Sequence, residues 1–154
     1  EKAGLLLDAY VEDLDRTLGE ELLEPTRIYA KDCLALADEC EVHTFCHVTG
    51  GGLAGNLARV IPTGLVAELS RGTWVPGPIF RLIQNVGKVP QAEMEKTFNM
   101  GVGMVAVVAP EDRDRALAML TARHIDAWEL GTIRDADDLQ APGAVVLTGD
   151  HPGY

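Results

Sequence analysis

The stretch HVTGGGLAGNLARVIP, His47 to Pro62, decides how the rest of this sequence is read. Val42 to Val48 mixes Val, Thr, Phe and Cys and predicts a strand. Leu53 to Val60 has the spacing of a short helix, which Pro62 stops. Gly50, Gly51 and Gly52 therefore carry the chain from strand to helix. Glycines in that place expose backbone N–H groups that a phosphate can approach closely, because no Cβ obstructs it. The helix start adds partial positive charge. Thr49 offers a hydroxyl, and Asn56 and Arg59 lie in the turns just beyond.

The residues alone leave several readings of this loop. Gly50, Gly52 and Gly55 match G-x-G-x-x-G, but no strand–loop–crossover unit opens here. Glu68 also falls short of the ribose-binding acid expected about 20 residues on. The Walker pattern fails, since no Lys-Ser or Lys-Thr follows. A tight, closely packed turn and a site for a phosphate-bearing ligand both stay open. A second glycine-bearing strand mouth, Asn99-Met100-Gly101-Val102-Gly103, leads into the strongest strand, Gly103 to Val108. Glycine weakens a strand start, so it marks either a bulge or the close approach of backbone or ligand. The two glycine-bearing strand ends are expected to face one cleft.

Working outward, Leu5, Leu6, Ala9, Tyr10, Leu14 and Leu18 recur at helical spacing, predicting a first helix with Gly19 as its C-cap. Pro25 breaks the pattern into an extended link. Helices are predicted at 31–39, 79–86, 93–98 and from Pro110-Glu111 to about Arg123. Further strands are predicted at 65–69, 127–133 and 144–147, and Gly72 to Pro78, bearing Trp74, reads as loop. No internal repeat is visible. The expected fold is α/β of the α+β type, a mixed β-sheet layered with helices.

Composition fits one such unit: 154 residues, 47% hydrophobic, 24% charged and 5% aromatic. The core must rest on aliphatic side chains. Twenty-four acids against 13 bases give a net charge of −11, which repels phosphodiester backbones and argues against nucleic acid as a partner. No apolar run approaches the roughly 18 residues of a membrane span, and no signal peptide is visible. Cys33, Cys40 and Cys46, an odd number in apolar segments, read as reduced thiols of a cytoplasmic protein.

Other clusters carry less chemistry. His43 and His47 share a strand face while Cys46 points away, too few ligands for zinc. Asp135, Asp137 and Asp138 form a solvated acidic loop. No metal site and no Ser-His-Asp arrangement is expected, and no catalytic residue is assigned. Arg27 and Lys31, beside Pro25-Thr26, fit either a solvated turn or a phosphate partner.

Four long strings occur in order: LGEELLEPTRIYAK (18–31), HVTGGGLAGNLARVIP (47–62), WVPGPIFRLIQ (74–84) and EMEKTFNMGVGMV (93–105). Together they resemble the C-terminal half of the phosphoribosylformylglycinamidine cyclo-ligase family, the aminoimidazole ribonucleotide synthetases. The resemblance is strong from about Leu18 to Thr132. It implies residues 1–24 as a linking helix and connection from an N-terminal half, and 25–154 as the C-terminal domain.

By the same resemblance, the activity is ATP-dependent closure of formylglycinamidine ribonucleotide to aminoimidazole ribonucleotide, in purine biosynthesis. The enzyme would be a cytoplasmic homodimer. ATP and Mg2+ would be bound mainly by the N-terminal domain, with the site in a cleft between the halves. This part alone would not turn over ATP. The resemblance places Thr49, Gly50, Gly51, Gly52, Asn99, Gly101 and Gly103 at the substrate or its phosphate, with Arg27 and His47 beside them. Two other classes stay open: a superfamily synthetase acting on a different amide, and a non-catalytic module binding a phosphate ligand.

Overall fold

The computed structural model describes residues 4–138 and 142–154. Residues 1–3 of the expected linking segment and 139–141 of the tail lie outside the described residues.

The first predicted helix does not form. A hairpin takes its place, pairing β1 (Tyr10–Val11) with β2 (Arg16–Thr17) through a 3-10 turn at Glu12–Leu14 and a left-handed Asp15. The helix starts only at α1 (Leu18–Leu22), and the reason is local. Thr17 and Glu20 form a capping box, each side chain bonded to the other's backbone N–H, which defines a helix start where the apolar pattern suggested an end. Gly19 is thus inside a helix rather than capping one, and its N–H donates to the carbonyl of Leu7 at 2.7 Å. Part of that apolar pattern faces no core: Leu6 and Tyr10 are 68% and 60% exposed, and only Leu18 in it is buried.

The remaining elements follow the sequence pattern closely: α2 (Ala30–Glu39), β3 (Val42–His47), α3 (Gly52–Leu57), β4 (Leu65–Ser70), α4 (Pro78–Gly87), α5 (Gln91–Thr97), β5 (Met104–Val108), α6 (Arg113–Ala122), β6 (Gly131–Asp135) and β7 (Ala144–Thr148). The residues from Pro110 to Asp112 form a 3-10 turn before α6. The strand expected from Ala127 starts at Gly131 instead. A Cβ at Gly131 would stand 2.0 Å from the Glu68 carbonyl oxygen, so glycine permits the close approach of β6 to β4.

The fold is α+β, with its strands in separate sheets. β3 and β5 pair antiparallel, while β4 lies between β6, antiparallel, and β7, parallel. β3 carries side chains to both layers. Phe45, with Val42, Ala106 and Val108, packs on Leu36 of α2 and Ala116 of α6. Cys46 joins Val48, Leu53, Leu57, Ile61, Ala67, Leu69, Trp74 and Val102 in the larger core beneath α3 and β4. Burying one such leucine stabilises the fold by about 1.5–3 kcal/mol, so α3 is held by packing despite its six residues. That packing fixes where the glycine loop stands. Among the described residues no helix is long and apolar enough to cross a membrane.

Candidate functional site

The three glycines differ physically. Gly52 is buried, with φ +71°, and a Cβ there would stand 1.7 Å from the carbonyl oxygen of Glu95 in α5. It lets α3 and α5 touch through their backbones, and its N–H is taken by the Thr49 carbonyl at 3.3 Å. Gly51 precedes α3 with φ +100° and is exposed. A Cβ at Gly50 would meet open space. The close-packed-turn reading therefore holds for Gly52.

Gly50 and Gly51 present something else. The buried side chain of Asn56 reaches back and donates from Nδ2 to the carbonyls of Thr49, Gly50 and Gly52, at 3.3, 3.2 and 2.7 Å. In a trans peptide the N–H points opposite to the preceding carbonyl, and there are no cis peptides here among the described residues. Drawing the Thr49 and Gly50 carbonyls inward thus turns the N–H groups of Gly50 and Gly51 outward. Both residues are exposed. The loop offers two adjacent donors on its outer face, the arrangement of an anion-binding nest.

Beside this loop is a cavity of about 390 Å³, lined by Thr26, Arg27, Tyr29, His47, Val48, Thr49, Asn99 and Gly103. The two strand ends do face one cleft, because β3 and β5 pair antiparallel: His47 lies opposite Met104, and the Val48 N–H donates to the Gly103 carbonyl at 2.9 Å. Of the nine residues selected from the sequence, Arg27, His47, Thr49, Asn99 and Gly103 meet on this wall. Gly50, Gly51, Gly52 and Gly101 are not on its lining.

Around Gly101 the backbone makes a strained turn. Met100 has φ +51° and Gly101 φ +97°, and the Asn99 Oδ1 accepts from the Gly101 N–H at 3.0 Å. Trp74 donates its indole Nε1–H to the Met100 carbonyl at 3.0 Å, which ties the turn to the core.

The Arg27 side chain makes no hydrogen bond or ion pair among the described residues, and neither does that of Arg59, whose guanidinium would lie 3.8 Å from a Cβ at Gly51. Most of the other arginines are paired with carboxylates, as Arg16, Arg71, Arg113, Arg115, Arg123 and Arg134 show. In a chain of net charge −11, two arginines without counterions beside one loop and cavity favour an anionic ligand. Burial pushes the Cys46 thiol up from its usual range, and the charge of Arg59 partly opposes this.

Thr26, Tyr29 and Val48 line the cavity without having been selected from the sequence, and Tyr29 is the most informative of them. Its ring meets His47 edge-on at 5.7 Å between centroids, and its hydroxyl would lie 1.9 Å from a Cβ at Gly103. The close approach expected at Gly103 is thus made by Tyr29. The signal was the glycine itself, but its partner lies far away in sequence. Among the described residues no group of three or more His, Cys, Asp or Glu side chains could hold a metal ion.

The chain is similar in sequence to several known proteins. A protein of Anaeromyxobacter sp. (strain Fw109-5) named phosphoribosylformylglycinamidine cyclo-ligase is 57% identical over 118 residues, 77% of this chain and 34% of that protein. One of Myxococcus xanthus with the same name is 50% identical over 129 residues, 84% of this chain and 37% of its own length. A Streptomyces fradiae protein, given that enzyme name provisionally, is 58% identical over 150 residues, 97% of this chain and 82% of the relative. The chain thus spans little more than a third of the length of the first two. The family described as AIR synthase related protein, C-terminal domain, matches residues 2–142, and the chain belongs to it.

Proposed function

We propose that this chain is the substrate-binding part of an ATP-dependent cyclo-ligase that closes formylglycinamidine ribonucleotide to aminoimidazole ribonucleotide, releasing ADP and phosphate. The observation that carries the reading is the meeting of Arg27, His47, Thr49, Asn99 and Gly103 around one cavity, in a chain of this family. The ribose phosphate would lie against the outward N–H groups of Gly50 and Gly51, with the Thr49 hydroxyl and Arg27 completing its shell. Asn99 and Gly101 would hold the opposite edge of the ligand. Gly52 would serve by keeping the loop against α5. Fixing a remote phosphate in this way positions the reacting amide, which is how binding energy is turned into rate.

ATP would supply the phosphoryl group that activates the formyl oxygen. The described residues offer no set of ligands fit for Mg2+. Residues 25–154 would form this C-terminal domain and 1–24 its connection to an N-terminal domain that binds ATP and Mg2+. The working enzyme would be a cytoplasmic homodimer with its site between the two domains.

The test is an NMR titration of this chain with formylglycinamidine ribonucleotide. Amide shifts concentrated at Thr49 to Gly51, Asn99 and Gly101 are expected. Shifts absent at millimolar ligand, or spread without focus on these residues, would overturn the reading.

A further inference from the structure

We infer that the segment from β7 to Tyr154, which lies past the family match ending at residue 142, is a positioning element for the cavity, with His151 as its positioning residue. The inference rests on reading the cavity as a ligand site.

Arg71 anchors this segment. Its Nε and second terminal nitrogen bond both oxygens of Glu95 at 2.8 and 2.9 Å, and its remaining nitrogen donates to the carbonyls of Leu147 and Gly149 at 2.9 and 3.2 Å. Arg71 thereby joins α5 to the end of β7. Beyond it the chain turns back over Trp74. The His151 side chain is 1% exposed, its ring stands edge-on to Trp74 at 4.5 Å, and its Nδ1 is 3.2 Å from the Arg71 carbonyl. That oxygen can only accept, so Nδ1 donates. Tyr154 meets the other side of His151 at 5.7 Å and lies under the Arg81 guanidinium of α4.

Trp74 connects this cluster to the site. Its Nε1–H holds the carbonyl of Met100, a residue held in the left-handed conformation at φ +51°, which is unfavourable for a side chain. A strained turn keeps its shape only when its surroundings determine it. Asn99, on the cavity wall, immediately precedes Met100, and its carbonyl accepts from Val102 at 3.0 Å. Only about 10 Å³ is open between Leu53, Trp74, Glu95, Met100, Leu147 and His151. With so little slack, His151 fixes the Trp74 ring, Trp74 fixes Met100, and Met100 fixes Asn99.

The experiment compares His151→Ala with His151→Phe in this chain. Phenylalanine keeps a ring against Trp74 and loses the bond to Arg71. Two readouts are taken, the amide shifts of Asn99 to Gly103 and the Kd for formylglycinamidine ribonucleotide. His151→Ala is expected to move those amides and weaken binding about tenfold, the loss of roughly one well-placed hydrogen bond. His151→Phe is expected to keep the wild-type shifts and a Kd within about twofold, although it too loses stability.

Unchanged Asn99 to Gly103 amides in His151→Ala would overturn the inference. So would weakening in both variants that merely follows their stability. If His151→Ala does not fold, His151→Leu, which fills the space without an aromatic face, replaces it with the same expectations. If the wild-type chain itself binds no ribonucleotide, the reading of the cavity fails. The amide shifts then decide the tail's role alone.

Discussion

Placing a methyl group on each of the adjacent glycines separates packing from ligand approach. In Gly52→Ala the new Cβ would stand 1.7 Å from the Glu95 carbonyl, on a backbone at φ +71°. The left-handed conformation costs a non-glycine residue about 1–2 kcal/mol. Forcing α3 away from α5 adds about 1–3 kcal/mol, typical of overpacking against backbone that cannot swing aside. A total loss of about 2–5 kcal/mol is expected, a fall in Tm of roughly 5–20 °C for a domain of this size. Gly50→Ala meets open space and needs no left-handed backbone, so its stability should stay within about 0.5 kcal/mol. Circular dichroism melts and urea titrations of the two purified variants measure both. Equal losses, or a Gly52→Ala variant within about 0.5 kcal/mol of wild type, would refute the division of roles. The ribonucleotide affinity should fall in Gly50→Ala despite its intact stability.

Three further outcomes are expected. Arg71 holds the Glu95 carboxyl below its usual range, chiefly through their hydrogen bonds, with burial opposing and Gln91 assisting. A depressed folded value means this stability is full above the unfolded value of about 4.3 and is lost as pH falls through the lower folded one. Arg71→Ala should therefore cost about 1–3 kcal/mol in urea unfolding at pH 7, discounted because the two side chains are 18% and 15% exposed, with a smaller gap near pH 3; a constant gap would contradict the pairing. Burial raises the thiols of Cys33, Cys40 and Cys46, so a thiol reagent at pH 8 should react slowly with the native chain and rapidly with all three on unfolding; rapid native reaction at Cys46 would count against its core position. Gly103→Ala should displace the Tyr29 hydroxyl and weaken ribonucleotide binding about tenfold at a stability cost of roughly 1–3 kcal/mol, measured by calorimetric titration and melting; unchanged affinity would show that this wall is not used.

Where a local pattern and its surroundings agree, the sequence could be read directly. The β-branched run of β5 and the bounds of α2 and β3 follow from residue type and spacing. That the two glycine-bearing strand ends face one cleft was also legible, because each opens or closes a strong strand; that the strands pair was not. The N-terminal region misled because helical spacing of leucines is neutral about whether a core waits for them; the capping box at Thr17 and Glu20 was the better signal. Tyr29, Glu95 and His151 could not be placed from local pattern, since each acts on residues remote in the chain. Gly52 and Gly103 each indicated that something comes close, without indicating what. Asn56 stands beside the loop in sequence, but its three bonds to loop carbonyls depend on a helix start that only the packing of α3 defines.

The parallel pairing of β4 with β7 bears on how the chain is made. Ser70 aligns with Thr148, and on the other side Leu69 aligns with Gly131. During synthesis at about 5–20 residues per second, β4 emerges on the order of 4–16 s before β7 can meet it. For about the first 3–12 s of that interval, until β6 emerges, Val66, Ala67 and Leu69, all buried in the finished fold, have neither sheet partner beside them. The nascent chain therefore carries a sticky, unpaired strand, and a chaperone that shields apolar segments on the ribosome would find its binding stretch at Leu65–Ser70.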